Sequence, residues 1–143
     1  MTGKGGVGKT EVAVRLAQHS ADLGNQTLLV EVNGSSSLNP RFNISQSYNV
    51  TSIGSHLSTL SITPEEAIRE YALKQLKFKR LYKLIFENRY VKPLVHGAPG
   101  LHDAVQLGKI YDLHDSGQYD LIIIDAPATG HCLTMLESAK TMM

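Results

Sequence analysis

The sequence predicts an α/β domain in which a parallel sheet is flanked by helices. Three observations carry that expectation. The stretch Gly3-Lys4-Gly5-Gly6-Val7-Gly8-Lys9-Thr10 meets the pattern G-x-x-x-x-G-K-[ST] without a mismatch. A helix-like segment and a short apolar segment follow at once, which makes the loop–helix–strand crossover that parallel sheets use. Far downstream, Leu121-Ile122-Ile123-Ile124 runs uninterrupted into Asp125, as a strand covered on both faces does. A length of 143 residues suits a single domain.

Taken in order, Lys9 to Leu23 has Val12, Leu16 and Leu23 at helical spacing with Ala13 and Ala17 beside them, and Gly24 sits where a helix ends. Gln26 to Val32 is nearly continuous in apolar residues, so a doubly covered strand is expected. Asn33 to Ser61 is polar and mostly loop, with Ile53, Leu57, Leu60 and Ile62 able to supply a short strand or a turn of helix. Thr63-Pro64-Glu65-Glu66 starts a helix: Thr63 caps, Pro64 suits the first helical position and Glu66 completes a capping box. That helix runs to about Leu76, or on to Asn88. Pro93 and Gly97-Ala98-Pro99-Gly100 close the region. Leu101 to Leu113 is again helical, with Gly108 a weak point and Ser116-Gly117 the stop. Tyr119 to Asp125 is the strongest strand, and Glu137 to Met143 still has helical character.

The chemistry sits in two places. Glycines take positive φ readily, so the backbone N–H groups of residues 3–8 can turn inward as a nest for phosphate oxygens. Lys9 brings an ammonium to the phosphates and the Thr10 hydroxyl suits Mg²⁺, with the positive end of the following helix behind them. Asp125 ends its strand at the carboxyl edge, where open α/β sheets bind ligands, and a carboxylate there can hold a Mg²⁺ water shell. Ala126-Pro127-Ala128-Thr129-Gly130-His131 then forms a turn leading into a helix, a place for a loop that senses a terminal phosphate. A phosphate loop ordinarily follows a buried strand. Here the chain enters it directly after Met1-Thr2, so the expectation is a P-loop NTPase domain incomplete at both ends, its first strand missing.

Lys4, a second lysine directly after the first glycine, makes the loop resemble the deviant phosphate loop of dimeric nucleotide switches. Asp125 through Leu133 resembles the switch II signature of the arsenite-translocating and tail-anchored-protein-targeting ATPases, and the segments Glu87-Asn88-Arg89 and Gly100 to Ile110 are similar to bacterial members. This resemblance identifies the chain as an N-terminal part of a bacterial-type member. It implies ATP and Mg²⁺ as cofactors, a homodimer when full length, and Lys4 reaching the partner's nucleotide. It also implies a cytoplasmic ATPase coupled to a membrane transporter or client protein, with Pro127, Thr129, Gly130 and His131 in switch II.

The resemblance places Asn33 where members carry an aspartate that handles the attacking water. An amide can hold a water but cannot accept its proton. Positioning alone can support phosphoryl transfer, and Glu31, two residues earlier on the same side of the strand, is an alternative. A nucleotide switch that does not hydrolyse is the other reading of Asn33. A net charge of +1 makes no case for nucleic acid. Lys74, Lys77, Lys79, Arg80 and Lys83 could face an anionic surface, which is the sole support for a partition-type reading. One cysteine, Cys132, excludes an internal disulfide, a CxxC site and a multi-thiol arsenite site within this chain.

Overall fold

A computed structural model describes residues 8–32, 38, 42, 47–75, 100–126 and 129–142. The elements are α1 (Lys9–Asp22), β1 (Thr27–Val32), β2 (Thr51–Ser52), β3 (Leu57–Ile62), α2 (Pro64–Gln75), α3 (Leu101–Asp115), β4 (Leu121–Asp125) and α4 (Thr129–Met142). The four strands form one sheet in the order β2-β3-β1-β4. β1 pairs in parallel with β3 on one side and β4 on the other. The sheet is mixed, not wholly parallel as expected, because the two-residue β2 adds an antiparallel edge to β3.

Alternation along the strands divides the core in two. Leu29, Leu57 and Ile123 face α1 and pack with Ala13, Val14 and Ala17. Leu28, Val30, Val32, Leu60 and Ile62 face the other way and pack with α2 through Ala67 and Ile68, α3 through Val105 and Ile110, and α4 through Met135. The result is helix, sheet, helix in three layers, the architecture that buries a parallel sheet on both faces.

Two expectations change. The apolar stripe assigned to α1 is on the outside: Val12, Leu16 and Leu23 are exposed, while Ala13, Val14, Ala17 and Ser20 are buried. Small side chains let this helix lie close on the sheet, and the larger ones point away. The segment before Thr63, expected to be mostly loop with a short strand or a turn of helix, contains β3, a full six-residue strand with five of its residues buried. Its hydroxyl residues favour turns in isolation, but here they bond to the neighbouring strand: Thr59 Oγ1 donates to the Leu29 carbonyl at 3.1 Å.

The caps follow their local chemistry. α1 ends in a Schellman motif, with the Gly24 N–H on the Ala21 carbonyl and the Asn25 N–H on that of Ser20, and Gly24 at φ 90°. At the start of α2, Thr63 Oγ1 accepts the Glu66 N–H at 3.4 Å and donates to the Glu66 carboxylate at 2.8 Å. The Glu66 side chain thus closes on the cap hydroxyl. The continuation of this helix towards Asn88, with Lys77, Lys79, Arg80 and Lys83, lies outside the described residues.

Candidate active site

α1 begins at the carboxyl end of the sheet. Gly8 is its N-cap residue at φ 80° and ψ 21°, a left-handed conformation that costs glycine little. Its carbonyl accepts the Val12 N–H at 3.0 Å, the first bond of the helix. Lys9 and Thr10 therefore stand in the first turn, where the helix dipole is positive.

β4 delivers Asp125 to the same point. It is the last residue of the strand, 7% exposed, and on the α1 face. Thr10 Oγ1 donates to Asp125 Oδ2 at 2.5 Å across a sequence separation of 115 residues. The pairing of the two predicted metal residues is thus a direct contact. A hydroxyl and a carboxylate are hard oxygen donors of the kind Mg²⁺ accepts, with waters and phosphate oxygens completing its shell. Among the described residues no group of three or more His, Cys, Asp or Glu side chains forms a metal cluster.

β1 brings a further carboxylate to this edge. Glu31 is 1% exposed and is the register partner of Asp125 on one side and of Ser61 on the other. Ser61 Oγ lies 3.3 Å from Glu31 Oε2 and donates to it. Sequence reasoning does not single out Ser61, because the short strand or helical turn it allows around Leu57 and Leu60 leaves the facing of Ser61 open. Its only signal was its place at the carboxyl end of a stretch anchored by Leu57, Leu60 and Ile62.

The remaining predicted residues divide in two. Thr129, Gly130 and His131 form the first turn of α4, which begins four residues after Asp125, so they belong to a helix start and not to a free loop. Thr134 Oγ1 donates to the Gly130 carbonyl at 3.1 Å within that turn. Gly3, Lys4, Gly5, Gly6, Val7, Asn33 and Pro127 lie outside the described residues.

A second polar cluster stands on the opposite face of the sheet. Tyr48 donates to Glu70 at 2.6 Å, Lys109 bonds to the same carboxylate at 2.9 Å, and Lys74 lies 3.1 Å from it. Burial works to raise the Glu70 pKa, but hydrogen bonds from Tyr48, Lys109 and Lys74 outweigh it and hold it at about 2. Burial and then the Glu70 hydrogen bond push the Tyr48 phenol well above its ordinary range. Lys74 also bonds to Asp112 at 2.7 Å, so it is already compensated within the chain and adds little to a basic surface patch. An apolar cavity between α2 and α3 opens beside this cluster, lined by Tyr71, Leu101, Val105 and Ile110 among others. It is on the other side of the sheet from Thr10 and Asp125.

Comparison with known proteins adds the following. Residues 1–143 match the protein family described as anion-transporting ATPase. The chain is 28% identical over 145 residues to a putative arsenical pump-driving ATPase of Chlorobaculum tepidum, covering 99% of this chain and 35% of that protein. It is 31% identical over 160 residues to the ATPase BagA of Mycobacterium tuberculosis, covering 99% of this chain and 45% of that one. It is 28% identical over 142 residues to an ATPase ASNA1 homolog of Paramecium tetraurelia, covering 98% and 43%. The chain therefore spans less than half the length of each of these relatives.

Proposed function

The chain belongs to the anion-transporting ATPase family, and from that premise we propose that it is the nucleotide-binding part of a Mg²⁺-dependent ATPase acting as a dimeric switch. The observation that carries the proposal is the Thr10–Asp125 contact, which joins the end of the phosphate-loop motif to the end of the strongest strand. The loop amides of residues 3–8 would wrap the phosphate oxygens, and Lys9 would balance their charge. Thr10 and Asp125 would hold Mg²⁺, which when bound withdraws charge from the phosphate oxygens. Lys4 would reach the nucleotide of a second copy, and Thr129-Gly130 at the start of α4 would respond to the terminal phosphate. Asn33 would orient the attacking water through its amide. The natural setting is a cytoplasmic homodimer that couples ATP turnover to a membrane transporter or a client protein. No helix among the described residues is long and apolar enough to cross a membrane.

The test is ATP binding and phosphate release by the complete protein. Thr10→Ala and Asp125→Asn should each weaken the Mg²⁺-dependent part of binding by about tenfold or more, and Lys9→Ala should weaken nucleotide binding itself. Wild-type behaviour in Thr10→Ala and Asp125→Asn would overturn the assignment. The non-hydrolysing switch is the second reading, and Asn33 favours it. Background phosphate release in the wild type that rises in Asn33→Asp would select it.

A further inference from the structure

Glu31 is the most deeply buried carboxylate among the described residues, at 1% exposure. It lies one strand from Asp125 in exact register, which sets the two backbones about 4.8 Å apart. Strand alternation puts both side chains on the α1 face with Leu29 and Ile123. On its other flank, Ser61 donates its hydroxyl to Glu31 Oε2. Thr10, Asp125, Glu31 and Ser61 thus make one polar row along the carboxyl ends of three parallel strands.

A glutamine here would accept the same hydrogen bond from Ser61. A divalent cation at the Thr10–Asp125 end of the row would attract a carboxylate on the neighbouring strand far more strongly than it would an amide. We propose that Glu31 is a positioning residue for that cation: a second carboxylate, fixed in place by Ser61, that faces the metal's hydration shell from β1. The inference rests on the nucleotide-site reading and extends it to a residue outside the phosphate-loop motif.

The probe is Mn²⁺ in place of Mg²⁺, followed by electron paramagnetic resonance as it binds the complete protein with a non-hydrolysable ATP analogue. Glu31→Gln should weaken Mn²⁺ binding about tenfold while leaving analogue binding in chelator unchanged. Ser61→Ala should give a smaller loss in the same direction, and Glu31→Asp should recover part of it. A purely structural role predicts instead equal losses with and without metal, or none, and either result overturns the proposal. If Glu31→Gln does not fold, an unchanged Mn²⁺ affinity in folded Ser61→Ala overturns it as well. Should wild-type protein bind no nucleotide-dependent Mn²⁺, the nucleotide reading falls and this proposal with it. Normal wild-type binding with an indifferent Glu31→Gln removes Glu31 alone.

Discussion

Gly8 turns the chain from the phosphate-loop motif into α1 at φ 80°, and a Cβ built there meets nothing within 4 Å. The penalty for replacing it is therefore conformational and not a clash. Gly8→Ala should cost about 1–2 kcal/mol, read as a lower denaturation midpoint with an unchanged slope. It should also weaken nucleotide binding, because Lys9 and Thr10 leave the same turn. Loss of stability without loss of nucleotide affinity would separate the two roles. Thr10 and Asp125 show the complementary case. Neither residue is unusual alone, and what marks the pair is their 2.5 Å contact.

At the scale of elements, α2 and α3 are joined by charge as well as by packing. Glu70 on α2 holds Lys109 on α3 and the Tyr48 hydroxyl, and Lys74 spans Glu70 and Asp112. The Glu70 pKa is depressed from 4.5 to about 2 in the folded chain. A depressed carboxyl contributes stability that is complete above the unfolded value and is lost as pH falls through the folded one. Glu70→Gln should thus be less stable than wild type at neutral pH by about 1–2 kcal/mol, the scale of hydrogen bonds to a charged group. The gap should close between pH 4.5 and 2. Parallel stability curves for the two proteins across that window would show that the cluster is not held by the ionised carboxylate.

For the whole molecule, stability depends on the sheet being covered twice. Leu60 is 1% exposed in β3 and belongs to the core shared with α2, α3 and α4. Leu60→Ala should cost about 2–5 kcal/mol, measured by denaturant unfolding. A cost near zero would mean that β3 is not an integral strand. Much of this architecture was legible in advance, for definite reasons. The phosphate-loop motif, the Thr63–Glu66 cap, the Gly24 stop and the Leu121–Ile124 strand are written in neighbouring residues, because turn geometry, capping and alternation act over a few positions. β3 was obscured because Ser58, Thr59 and Ser61 resemble loop until β1 supplies their partners. The buried face of α1 was obscured because Val12 and Val14 are chemically alike, and only the sheet beneath distinguishes exposed from buried. By itself the sequence determined the phosphate-loop motif, the crossover unit and the carboxylate at a strand end, all products of local chain chemistry. Only the tertiary structure decided that Asp125 meets Thr10 and that Glu31 lies between Asp125 and Ser61. Those meetings depend on strand order and register, which arise from contacts between residues far apart in the chain.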